Sequence, residues 1–169
     1  MKKILYYELG RDIIARAAVD QKMRERNLKE CGYWDEAVDR HNTARLRQIV
    51  TKIGWLTVSK VGVEASAAAW LIAQHADHDV AFQIKCLNLM KQCQPPEIRL
   101  EDIAYLEDRI CVNEHRPQVY GTQFREVRGL HLPLRIGRRE YVDVRRKRMG
   151  LSTLDEAIDA MYVKYPIPL

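Results

Sequence analysis

The sequence is first informative for what it lacks. No apolar run in its 169 residues approaches the roughly 20 needed to cross a bilayer. Lys2 and Lys3 precede only the short stretch Ile4 to Leu9, which Glu8 interrupts, so no secretory leader is expected. A cytoplasmic chain without membrane association is the expectation. The four cysteines, Cys31, Cys86, Cys93 and Cys111, form no C-x-x-C pair. Reduced thiols are therefore expected, and a zinc site is not. The P-loop and G-x-G-x-x-G patterns are missing, which removes the common nucleotide-binding routes. Also missing are H-E-x-x-H and a G-x-S-x-G elbow. There is no internal repeat. Nothing here calls for a cofactor.

What is present is an ordinary globular composition with a net charge of +5. Length alone points to one domain, 1–169. Much of the excess charge is local: Arg135, Arg138, Arg139, Arg145, Arg146, Lys147 and Arg148 crowd the C-terminal third. Such a run suits a solvated face, with nucleic-acid association as an alternative. Glu140 and Asp143 interrupt it, and no stacking motif accompanies it.

Apolar periodicity predicts helices over 8–28, 34–53, 63–76, 79–92 and 100–109, and a last one from Ser152. Cys31-Gly32-Tyr33 should break the first two apart, and Gly54 should stop the second. Residues 54–59 read as a loop, with Ser59 as N-cap of the third helix. Asp77 or Asp79 is the expected N-cap of the fourth helix, and one unbroken helix is the alternative. From Val119 the period changes. Strands are expected over 119–127, 130–136 and 140–144, with a turn at Arg128-Gly129 and an edge position at Pro133. Pro166 and Pro168 should end the last helix. The expected class is α+β, mainly α: a helical bundle with a small antiparallel hairpin or sheet in the C-terminal third.

Several helices carry a hydrogen-bonding side chain on or beside the apolar stripe: Gln21, Asn42, His75 and Gln83. Each alone fits a satisfied structural group. Together they suggest a polar pocket. His75 follows the apolar run Ala65 to Ala73 and is the candidate general acid or base, because imidazole titrates near neutrality. Its neighbours Asp77, His78 and Asp79 invite a metal reading, but no third ligand is spaced for one, and no metal is expected. Tyr120-Gly121-Thr122-Gln123 is the second candidate. Gly121 would allow close approach in mid-strand, and Tyr120 and Gln123 would join His75 in catalysis. Gln21, Asn42 and Gln83 would orient the substrate, and Arg145 or Arg146 would hold an anionic group on it.

These residues also carry a resemblance. Asp20-Gln21, Asp39 with Asn42, Gly54-Trp55, Gln74-His75-Ala76-Asp77, Phe82-Gln83, Asp108-Arg109, Tyr120-Gly121-Thr122-Gln123 and Asp143 with Arg145-Arg146 are among the matching pieces. The chain resembles a bacterial family known as a domain of unknown function, numbered six-six-two-four. Leu56 and Val80 depart from it where the family usually has proline. The resemblance implies that the polar cluster is a family feature and implies no activity. The expected function is a small enzyme acting on a polar small molecule or modified peptide by histidine acid/base catalysis. Hydrolysis, amide chemistry, rearrangement or a lyase-type step would fit. A non-catalytic ligand- or protein-binding module is the alternative.

Overall fold

The computed structural model describes residues 4–30 and 33–165. The expected break at Cys31-Gly32 and the terminal prolines lie outside the described residues. The chain divides into two compact units, Met1–Arg99 and Leu100–Leu169.

The first unit is helical: α1 (Tyr7–Lys29), α2 (Glu36–Ile53), α3 (Val58–Val61), α4 (Val63–Gln74) and α5 (Val80–Lys91). α1 packs against α2, α3 and α4. Its buried line is Gly10, Ile13, Ala17, Asp20 and Met23, the three- and four-residue steps of one helix face. Gly10 is there because a Cβ would meet the Val61 carbonyl at 3.0 Å and Ala65 Cβ at 3.1 Å. Ala65, Ala68, Ala69 and Ala73 make the α4 surface small, so its neighbours approach closely. Leu46, Ile49, Ile72, Phe82 and Met90 fill the core between the helices.

One helix start differs from expectation. Residues 58–61 are helical, so Ser59 lies inside α3 and does not cap. Its amide instead donates to Glu97 Oε2. The α4–α5 break is real, and Asp79 supplies the cap by accepting from the Phe82 amide at 3.0 Å. Arg47 of α2 closes an ion pair on the other Asp79 oxygen and lies over the Phe82 ring. α2 stops at Gly54, as its sequence suggests, and Lys60 Nζ donates to the carbonyls of Ile53 and Trp55.

The second unit holds α6 (Leu100–Asn113), β1 (Phe124–Val127), β2 (Leu130–Pro133), a short 3-10 turn (Arg139–Tyr141), α7 (Val142–Arg148) and α8 (Leu154–Lys164). β1 and β2 form an antiparallel hairpin in which Phe124 faces Pro133 and Val127 faces Leu130. α8 opens on a capping box: Thr153 accepts from the Glu156 amide, and Glu156 accepts from Thr153.

Two expected strands are corrected. Residues 119–123 form a loop, because the buried carboxylate of Asp108 takes the amides that a strand ladder would use. It accepts from Val119 N at 2.7 Å, Tyr120 N at 3.0 Å and Thr122 N at 2.9 Å. Residues 140–144 are helical rather than extended. Among the described residues no helix is long and apolar enough to cross a membrane.

Candidate functional site

The centre of the first unit's polar cluster is Asp20, which is 1% exposed. It occupies a core position on α1, three residues after Ala17 and three before Met23. A carboxylate there has to be paired. Oδ2 accepts from His75 Nδ1 at 2.8 Å and from Gln21 Nε2 at 2.8 Å, while Oδ1 accepts from Arg24 Nε at 3.0 Å. Burial pushes the Asp20 carboxyl up. His75, Arg24 and Gln21 outweigh it and hold the group at about 2.

Arg24 bridges to a second carboxylate, donating to Asp39 Oδ1 of α2 at 2.8 Å, and its guanidinium lies 4.7 Å from the centre of the Trp34 ring. Burial pushes Asp39 upward, the neighbouring Asp20 charge adds to the rise, and Arg24 opposes it. Two carboxylates thus flank one guanidinium. Farther along the same pair of helices the signs are exchanged, with Asp12 between Arg16 at 2.8 Å and Arg45 at 2.6 Å.

His75 is the C-cap residue of α4, with its amide on the Leu71 carbonyl. Gln83, fully buried on α5, holds that helix end from behind. Its Nε2 lies 3.2 Å from the Ala73 carbonyl and 3.3 Å from that of Gln74. It therefore positions the backbone that carries His75. Asn42 is 5% exposed, and its Nδ2 donates to the Arg16 carbonyl at 3.3 Å across the α1–α2 contact. One residue on, the Thr43 hydroxyl is buried with no hydrogen-bond partner among the described residues.

With Nδ1 given to Asp20, His75 leaves Nε2 open. The side chain retains 16% exposure, and Nε2 has no hydrogen-bond partner among the described residues. A carboxylate that fixes one imidazole nitrogen and leaves the other to receive a proton is the arrangement of a general base. Among the described residues no group of three His, Cys, Asp or Glu is placed to hold a metal ion.

Within the second unit, Tyr120, Gln123, Arg145 and Arg146 lie on or against the 117–123 loop. Gln118, 1% exposed, donates to the carbonyls of Gln123 and Leu134 and accepts the Gln123 amide. Gln123 Oε1 receives Arg109, and its Nε2 donates to Thr122. The Tyr120 hydroxyl faces Glu107 at 3.4 Å, and burial with that neighbouring charge pushes it up to about 12.

Arg145 donates to the carbonyls of Val119, Arg138 and Gly137, and Arg146 to those of Ser152 and Tyr120. Their forks brace backbone, and Arg146 is 3% exposed. Two of the seven cations in the basic run are therefore turned into the fold. Gly121 is needed for its turn: its φ is +71°, and a Cβ would come within 2.6 Å of Ile136 Cδ1.

His75 and Gln21 are thus joined through Asp20, a residue that the apolar stripe does not mark, any more than it marks Arg24 or Asp39. A signal for it exists in the sequence. Asp20 lies on the buried face of α1, and an aspartate on that face with an arginine at i+4 marks a buried ion pair.

No curated protein and no solved structure matches the chain. A model of the Family of unknown function (DUF6624) matches residues 8–167, which include Asp20, Gln21, Arg24, Asp39 and His75. With nearly its whole length matched, the chain belongs to this family.

Proposed function

We propose that the chain is a small enzyme acting on a polar small molecule or modified peptide, with His75 as general acid/base and Asp20 as the residue that positions it. The observation that carries this reading is the 2.8 Å contact from His75 Nδ1 to a buried carboxylate, with Nε2 left unbonded among the described residues. Gln21 and Arg24 keep Asp20 ionised and oriented. Gln83 fixes the helix end on which the imidazole sits. A proton taken at Nε2 gives an imidazolium beside the Asp20 carboxylate, so the charge formed in the step is stabilised where it forms. Proton transfer of this kind serves hydrolysis, amide-group chemistry and eliminations alike.

The test is turnover of a panel of ester, amide and glycoside substrates by the intact chain. His75→Gln is expected to lower kcat by about 10²–10⁴-fold. Asp20→Asn should lower it less and shift the pH profile. Turnover that survives His75→Gln unchanged would exclude this role for His75. A ligand that binds the wild type and is never turned over would favour the binding-module reading.

A further inference from the structure

The basic run of the C-terminal third divides once the chain is folded. Arg145 and Arg146 turn inward and brace backbone. Arg135, Arg138, Arg139, Lys147 and Arg148 are exposed, and none of them closes an ion pair among the described residues. The first unit treats its arginines differently. Each one from Arg11 to Arg47 closes on a carboxylate. Charge that is paired in one part of a chain and left open in another makes a local positive field.

The fold also sets an aromatic ring among these cations. The 3-10 turn runs straight into α7, and Val142 and Arg146 take the buried side of that helix. Tyr141, Val144 and Arg148 share the opposite side, at the three- and four-residue steps that bring side chains together. Tyr141 is 57% exposed and Val144 55%. Arg138 adjoins them: its carbonyl accepts from the Tyr141 amide at 3.0 Å and from Arg145 Nη1 at 3.2 Å. Lys147 lies on the far flank, where Asp143 and Glu156 line the same depression. Asp143 is engaged there by the Leu154 amide at 2.7 Å. Arg138, Arg139 and Arg148 against the exposed Glu140 leave the Tyr141 side net positive.

We propose that this face of the second unit binds single-stranded nucleic acid, with Arg138, Arg139 and Arg148 on phosphates and the Tyr141 ring stacked on a base. Charge complementarity selects a polyanion. The ring selects among polyanions, because a base offers it a π-face and an acidic peptide backbone does not. A duplex keeps its bases stacked on one another, so the single strand is the form that can use Tyr141. A lipid surface is the poorer match, because a seven-residue helix presenting Tyr141 and Val144 has little apolar area to insert. The proposal is independent of the His75 reading, which concerns the other unit.

A fluorescein-labelled oligouridylate of about 12 nucleotides, titrated with the full chain and followed by anisotropy, tests it. Saturable binding is expected at low salt, with a log–log salt slope of about −2 for three phosphate contacts. Arg148→Gln should flatten that slope by about 0.7. Tyr141→Ala should weaken binding about fivefold or more and leave the slope unchanged. Both side chains are exposed, and circular dichroism checks that the variants fold. Absence of saturable binding at low salt overturns the proposal, as does a Tyr141→Ala variant that binds like the wild type. Displacement of the oligonucleotide by polyglutamate, or by vesicles of anionic lipid, at equal charge concentration overturns it in favour of an acidic chain or a membrane.

Discussion

Asp20 and His75 meet at 2.8 Å from positions 55 residues apart, and the aspartate is the more deeply buried of the two. The carboxylate is therefore held by the fold, and the imidazole is held by the carboxylate. This order has a consequence for acid stability. The Asp20 carboxyl lies at about 2 in the folded chain, against an ordinary 3.8. Its folded value is depressed, so its contribution is complete above pH 4 and is lost as pH falls through 2. At about 1.4 kcal/mol per pH unit this is about 2 kcal/mol. Urea unfolding between pH 2 and 6 should show that Asp20→Asn removes this slope. A variant with the wild-type slope would contradict it.

Arg24 is the only cation bonded to both Asp20 and Asp39 among the described residues. Arg24→Met should destabilise the chain by about 3 kcal/mol at neutral pH, because two half-buried or buried carboxylates then face each other without a counter-charge. The sign of its pH dependence is opposite to a simple loss of packing. The penalty is largest where both carboxylates are ionised and shrinks on acidification as they protonate. Denaturant midpoints at pH 7 and pH 4 check this.

The buried Thr43 hydroxyl makes no hydrogen bond among the described residues. Valine has nearly the same shape and no polar atom. Thr43→Val is expected to raise stability by about 1 kcal/mol, seen as a higher melting temperature. A loss of stability would mean that the hydroxyl has a partner in solution.

How much of the fold is legible in the sequence depends on what kind of force sets each element. Amphipathic helices are legible, because α1, α2 and α4 bury continuous faces. A strict four-residue step puts Gln21 on the buried line of α1, but the helix turns by 3.6 residues and Asp20 takes the core position. Its charge makes it look like a solvent residue. The loop at 119–123 reads as a strand because Val119, Tyr120, Thr122 and Phe124 favour extended backbone. Asp108 overrides that preference from a different element, by a contact that no local window contains. Residues 140–144 mislead for a similar reason: their β-branched side chains favour strand, but tertiary bonds from Arg145 and Arg146 settle the helix.

Asp108 accepts from four donors, the amides of Val119, Tyr120 and Thr122 and the Thr122 hydroxyl, and is fully buried. Asp108→Ala leaves these groups without their acceptor and should cost about 3 kcal/mol. Gly121→Ala, in the same loop, should cost about 1–2 kcal/mol through its positive φ and the contact with Ile136. Hydrogen exchange at residues 117–123 should rise in both variants. Unchanged protection there would remove Asp108 from this role.

Arg145 and Arg146 are neighbours in sequence whose planar forks reach five carbonyls on separate stretches of backbone. A lysine at either place would keep the formal charge and lose the shape of the contact. The formal charge count would not register the exchange, whereas the loop at 117–123 would. For this pair, the quantity the fold reads is geometry, and an accounting by charge alone misses it.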